Sequence, residues 1–238
     1  MNTATTIPAA RSQLLQLLAL GFTHPVPALH RILQDDSYGL ALASASAQAQ
    51  CGGHFSYREA RDFASFEADY IHQFQMGRGG KPIVSLNAGD HDSINQGQGR
   101  PEFLLQYSAW YRHFGLRTNQ EEDANELPDH LVCQLEFMAW LAHLEDEAAL
   151  EPELEQGYQL AQRDFLQRHL LPFLEVLAAQ IQQRARGPTS SPFYLSLAAR
   201  SLAATHNMLQ QLEVSLAVSG QADTSGGAEQ IAAVNLWD

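Results

Sequence analysis

The stretch LVCQLEFMAWLAHLE, residues 131–145, has the composition of a helix that is apolar on two sides. At 100° per residue, Leu131, Leu135, Met138 and Ala142 fall on one side, while Cys133, Phe137, Trp140 and Leu144 lie nearly opposite. An ordinary amphipathic helix needs one partner surface; this one needs neighbours on both sides, so it must be sandwiched inside a multi-helix body. Only a narrow strip is left for polar groups. Asp129, Glu136 and His143, seven apart and drifting by about 20° per heptad, are expected to line it. They span ~21 Å along the axis, too far for one reaction centre and a suitable length for a groove.

The rest of the chain is expected to be helical as well, because Ala, Leu and Gln dominate, β-branched residues are sparse, and Gly and Pro cluster between long uninterrupted stretches. A first helix is predicted over 8–22, with Leu14, Leu17, Leu18 and Leu20 on its apolar face and THPVP at 23–27 ending it. A short helix through Leu29 and Leu33 follows. SYRE at 56–59 has the form of a capping box, with Phe55 and Ala60 placed as a weak staple, and predicts a helix start there. Phe63, Phe66, Tyr70 and Phe74 then recur every three or four residues as a packed aromatic stripe. Residues 76–100 contain six glycines and no helical period, which predicts a long loop.

A helix over 101–114 is predicted next, with Leu104, Tyr107, Tyr111 and Phe114 on one face and Gly115 as its stop. Beyond the doubly apolar helix, 152–186 reads as one or two helices broken near Pro172. Residues 192–216 form a last helix carrying Phe193, Leu197, Leu202, Leu209 and Leu212. No Pro/Gly-rich linker separates two cores. The expectation is an all-α, single-domain multi-helix bundle over 1–218 followed by a flexible tail at 219–238.

Charge narrows the partners. The chain carries 27 acidic against 14 basic residues, a net −13, which disfavours nucleic acid and anionic lipid and favours a basic peptide. Cys51 and Cys133 are far apart, so neither a disulfide framework nor a structural zinc is expected, and a reducing compartment suits them. The apolar run at 14–22 is interrupted by Gln16 and followed by His24-Pro25, which fits a first core helix better than an export signal. No stretch reaches the roughly 18 to 20 continuous apolar residues that spanning a bilayer requires. A soluble, cytoplasmic protein without membrane insertion is expected.

The candidate chemistry is thin. DYIH at 69–72 places a carboxylate and an imidazole at i, i+3, but a di-iron bundle needs two Glu-x-x-His copies and two further glutamates. Asp90-His91-Asp92 offers metal-ligand types in a loop whose adjacent residues rarely converge. GRGGK at 77–81 lacks the flanking glycine and the Ser/Thr of a phosphate loop, since Gln75 and Pro82 stand there. No bound cofactor or metal, and no catalytic residue, is therefore expected. Pro128 fits a first helical turn, and Asp129 stands where the helix dipole favours a carboxylate. A cap alone would need neither Glu126 nor His130 beside it, so capping and ligand recognition both remain open for Asp129. A helical metal-binding enzyme of di-iron type and a helical interaction adaptor are the alternative classes.

LPDHL at 127–131 followed by QLEFMAWL at 134–141 resembles the most characteristic segment of the TorD/DmsD/NarJ-type chaperones that mature molybdenum oxidoreductases. FEADYIHQF at 66–74 resembles that family's acid-aromatic helix, RDFLQRHLLPFLEVLA at 163–178 a later helix, and FYLSLA at 193–198 the start of its final helix. The resemblance reaches from about residue 14 to about residue 216. It implies an all-helical, non-catalytic chaperone that binds the apo catalytic subunit, through its twin-arginine leader or its mature part, until the molybdenum cofactor is inserted. It implies roles in leader recognition for Pro128, Asp129 and His130, with Glu126 and Glu136 nearby, and less directly for Asp69, Tyr70 and Phe74. It further implies a monomer able to form a domain-swapped dimer by exchanging helices across the long loop. The loop sequence at 85–100 looks more like the nitrate reductase branch, or the delta subunits of ethylbenzene and dimethyl sulfide dehydrogenases, than like the dimethyl sulfoxide reductase branch.

Overall fold

The structure, a computed structural model, describes residues 5–52, 55, 57–77, 79–116, 126–184 and 191–225, the last six of these as backbone only. Among the described residues the only β contact is one antiparallel bridge, Asn87 with His130, and the fold is all-α. Helix α1 (Ile7–Phe22) begins at Thr6, whose hydroxyl accepts from the Ala9 amide at 3.2 Å, with Pro8 in the first turn. It buries Leu14, Leu15, Leu18 and Phe22 completely. Helices α2 (Pro27–Gln34) and α3 (Ser37–Gln48) follow, and α3 folds back onto α1. The Tyr38 hydroxyl fastens it there by donating to the Leu17 carbonyl at 2.8 Å.

The doubly apolar helix, numbered α7 below (Leu131–Glu147), is enclosed as its pattern predicts. It packs along α1 on one side and against α8 (Pro152–Phe165) on another, and Leu131, Leu135, Met138, Leu141 and Ala142 have no exposure at all. Burial on this scale forces its polar residues to find partners inside the protein. Glu145, 3% exposed, receives Arg11 of α1 at 2.9 Å, Gln162 at 2.7 Å and Gln159 at 3.0 Å. The Ser12 hydroxyl donates to the Ala139 carbonyl at 2.8 Å. A carboxylate so buried is tolerated because cation and amides surround it; removing Arg11 alone would leave it uncompensated, at a cost of about 3–5 kcal/mol.

The helix start assigned to SYRE is not where the chain turns helical. Ser56 lies outside the described residues, 57–61 are not helical, and helix α4 (Phe63–Tyr70) begins after Asp62, whose carboxylate accepts from the Ser65 amide at 2.9 Å. Glu59 does not reach back to cap. It is buried, and Arg61 and the Tyr57 hydroxyl bind it at 2.9 Å and 2.6 Å. A buried ion pair outweighs a surface capping box. The aromatic stripe does form: α4 runs on through a π-turn (Ile71–Gln75), and Phe66, Tyr70 and Phe74 pack against Tyr194.

Residues 76–100 are more structured than their glycines predict, with a 3₁₀ turn (Ala88–Asp90) and the one-turn helix α5 (Asp92–Asn95). Helix α6 (Arg100–His113) ends before Gly115, whose φ of +80° supplies the left-handed residue that stops it. Its buried face comprises Phe103, Tyr107, Trp110 and Tyr111, so Leu104 and Phe114 lie at the margin instead of on the face. The break expected near Pro172 is a π-turn (Leu166–Leu170) joining α8 to α9 (Leu171–Arg184). Pro172 has no N–H, and its ring crowds the carbonyl four residues back; the widened turn before it relieves that clash without ending the helix. Helix α10 (Pro192–Ser225) runs past residue 216 and packs on α9, α8 and α1. The expected tail falls partly on this helix, and 226–238 lie outside the described residues.

His169, on the π-turn, packs 4.9 Å from the Tyr107 ring, 5.1 Å from Phe165 and 5.9 Å from Trp110. Burial, with Arg168 adding to it, pushes its pKa from 6.5 down to about 4. The unfolded chain therefore takes up the proton first as pH falls, and the stability this histidine leaves intact at neutral pH is lost between 6.5 and about 4. Melting curves at pH 7 and pH 4.5 should show a smaller drop for His169→Phe than for the wild type; an identical drop would mean that this imidazole is not the group responsible.

Candidate functional site

The PDH segment sits where the start of α7 is strapped to the 85–100 region. The Leu131 amide donates to the Leu86 carbonyl at 2.8 Å, and the Ala88 amide to the Asp129 carbonyl at 3.1 Å. Pro128 lies outside the helix, in the turn before it, and its carbonyl accepts from the Tyr111 hydroxyl at 2.6 Å. Asp129 does not cap α7. His130 does, its Nδ1 accepting from the Val132 amide at 3.3 Å. The Glu126 carboxylate lies 3.1 Å from that same Nδ1.

The Asp129 side chain turns inward and has no exposure. Its Oδ2 accepts from the Gly89 amide at 2.7 Å, and the Arg100 guanidinium spans both oxygens at 3.0 Å and 3.4 Å. Burial raises the carboxyl's pKa, with the Gly89 hydrogen bond and Arg100 pulling the other way. A Cβ on Gly89 would stand 1.9 Å from Arg100 Nη1, so only glycine lets the two meet there. Around this knot Ser85 donates to Asp90 at 2.6 Å, His91 bonds the Ser85 carbonyl at 3.0 Å, and Asn95 donates to the Gly89 carbonyl at 2.9 Å. Asp90 and His91 are thus engaged in holding the loop, and among the described residues no group of three or more His, Cys, Asp or Glu side chains could hold a metal ion.

The expected strip of Asp129, Glu136 and His143 is therefore broken: Glu136 and His143 are exposed while Asp129 is turned inward. In its place Glu126 and Glu136 form an exposed acidic rim beside His130. Burial raises the Glu136 carboxyl's pKa, Glu126 raises it further, and His130 opposes them. The Cys133 thiol between them is pushed up to about 12, by burial first and then by Glu126, Glu136 and Asp129. It is not a thiolate nucleophile at neutral pH, and Cys51, fully buried, is pushed up as well.

Of the acid-aromatic residues, Asp69 pairs with Arg61 at 2.7 Å, while Tyr70 and Phe74 are 3% and 6% exposed and belong to the core. The Tyr70 hydroxyl donates to the Phe22 carbonyl at 3.3 Å, and burial, with Glu126 adding to it, raises its phenol. Arg100 and Gly89 are the residues that sequence reasoning missed. One signal was available: Arg100 is the single Lys or Arg between Lys81 and Arg112.

An all-helical body whose buried aspartate knot underlies an exposed acidic rim at the PDH segment now stands beside the known proteins. Residues 33–179 match the nitrate reductase delta subunit family, and the chain belongs to it, in agreement with the resemblance carried by PDHL and QLEFMAWL. It is 41% identical over 182 residues to the dimethyl sulfide dehydrogenase assembly chaperone protein of Rhodovulum sulfidophilum, covering 75% of this chain and 72% of that one. It is 31% identical over 196 residues to the perchlorate reductase assembly chaperone protein of Dechloromonas aromatica (strain RCB), covering 79% and 83%. The chlorate reductase assembly chaperone protein of Ideonella dechloratans is 39% identical over 110 residues, 46% of this chain and 54% of its own length. No solved structure is a significant match.

The knot predicts an asymmetry in stability. Arg100→Met leaves a fully buried carboxylate unpaired and should cost about 3 kcal/mol. Asp129→Asn keeps an acceptor for the Gly89 amide and frees Arg100 toward solvent, at about 1–2 kcal/mol. The double variant should be less destabilised than the sum of the two. Urea titration of all four proteins measures this, and strict additivity would show that the two side chains do not interact.

Proposed function

We propose that the chain is an assembly chaperone, not an enzyme, that binds the apo catalytic subunit of a molybdenum oxidoreductase and holds it until the cofactor is inserted. The observation that carries this reading is the similarity to the dimethyl sulfide dehydrogenase assembly chaperone protein over 75% of this chain. The geometry supports it. Burial and the neighbouring Glu126 both raise the Glu136 carboxyl's pKa, and a guanidinium beside it relieves the repulsion. Leu127, 40% exposed, supplies apolar surface next to them, and the net −13 attracts a basic, apolar segment such as a twin-arginine leader.

Asp129 acts from behind this surface. It holds Arg100 and the 85–100 segment against the start of α7, and a client arginine reaches it only by displacing Arg100. His130 caps α7 beside Glu126, and Pro128 sets the turn that presents the rim. Asp69, Tyr70 and Phe74 support the site from the core. Nothing in this role requires a cofactor, a membrane segment or nucleic acid, and among the described residues no helix is long and apolar enough to cross a membrane. The reading places the protein in the cytoplasm, where apo subunits are assembled, as a monomer able to exchange helices into a domain-swapped dimer.

Calorimetric titration with a synthetic twin-arginine leader, beside co-purification of the apo subunit, tests the proposal. Glu126→Gln with Glu136→Gln should weaken leader binding by about 1.5–3 kcal/mol, the range for charge-assisted hydrogen bonds, and leave the melting temperature nearly unchanged. Unaltered affinity in that variant would remove the rim from the binding site, and failure of both leader and apo subunit to bind would remove the chaperone reading.

A further inference from the structure

A second surface lies away from the rim. A groove of about 430 Å³ opens where the ends of α6 and α7 meet α8, floored by Phe114, Leu144, Tyr158 and Ala161 and flanked by Leu154 and Leu160. The two leucines are 44% and 37% exposed, and Leu150, on the turn before α8, is 95% exposed. Apolar side chains left in water around a concave apolar floor mark a binding surface more often than a bare one. Gly157, in the middle of α8, lines the same groove, and a Cβ there would meet nothing within 4 Å. A mid-helix glycine costs about 1 kcal/mol relative to alanine, and here its effect is to keep the wall of the groove low enough for a close approach.

The charge around this groove specifies what approaches. From residue 143 to 162 the chain carries six acidic residues and no lysine or arginine. Glu145 is neutralised internally by Arg11, and Asp164, on the groove's lining, by Arg163 at 2.6 Å, which leaves Glu153 on the lining and Glu151 two residues before it, both exposed. A second copy of this chain, itself at net −13, is repelled by such a surface, and so are nucleic acid and anionic lipid. Helix α8, 14 residues long, offers a wall of ~21 Å, the length of about four helical turns.

We propose that this groove docks a basic amphipathic helix of another protein, its apolar face against Phe114, Leu154 and Leu160 and its cationic flank against Glu151 and Glu153. The docking needs neither Glu126 nor Glu136, so it stands or falls separately from the leader-binding rim.

Fluorescence polarisation of the full chain with a labelled 18-residue Leu/Lys peptide, apolar at every third and fourth position, tests it. A peptide of the same composition shuffled to have no apolar face is the control. The amphipathic peptide should bind at least tenfold more tightly than the shuffled one. Gly157→Leu, which fills the groove, should weaken it at least tenfold with a melting temperature no lower than wild type. Glu151→Gln with Glu153→Gln should flatten the dependence on salt, and Leu40→Ser, on α3, should change nothing. Equal binding of the two peptides, no binding, or full affinity in Gly157→Leu overturns the proposal. So does sedimentation showing a dimer that Gly157→Leu abolishes, which would assign the groove to a second copy.

Discussion

The burial of α7 on nearly every side is the constraint from which the rest of the architecture follows. A helix with leucines on one side and aromatics on the other cannot rest on a surface; α1 and α8 must cover it, and the chain order must bring an early helix and a later one to the same place. Its polar residues then have no water to turn to. Glu145 is met by Arg11 and two glutamines, and the Gln134 amide donates to the Asp129 carbonyl at 2.8 Å. These contacts specify how α1 and α8 dock on α7 along its length, which apolar packing alone would leave freer to slide.

The same enclosure explains why the start of α7 is so elaborately tied. With its sides occupied, the helix presents its N-terminal turn to the 85–100 segment, and Asp129 gathers the Gly89 amide and Arg100 into one buried cluster. The carboxylate's net contribution is modest, because desolvation opposes the ion pair, yet it gives a glycine-rich segment one definite position. The exposed rim of Glu126 and Glu136 is a different kind of feature. Burial and the nearby Glu126 both disfavour the charged form of the Glu136 carboxyl. A buried knot that fixes shape thus lies beneath an exposed acidic rim.

Much of the fold was legible in the residues. The two-sided pattern of 131–145 required a sandwiched helix, the spacing of Phe66, Tyr70 and Phe74 required a core stripe, and Gly115 marked a helix end at the right place. Those features are local: periodicity and φ preference belong to a few neighbouring residues, and any compact helical fold must honour them. Where local signals competed with burial, burial won. Glu59 left its capping pattern for Arg61 and Tyr57, and α4 began at Phe63 instead.

Pro128, Asp129 and His130 could be singled out from sequence as a place of interest, together with Glu126 and Glu136. What each does there could not. Whether Asp129 faces solvent or core depends on Arg100, 29 residues away, and on the absence of a side chain at Gly89, 40 residues away. The order of the 85–100 segment depends on the same contacts. The sequence by itself determined the helical class, the central helix and the acidic character of the chain, because these follow from composition and short-range period. Only the tertiary structure decided which carboxylates are spent on holding the chain together and which stay exposed, since that choice is made by distance and desolvation between residues that the chain order keeps apart.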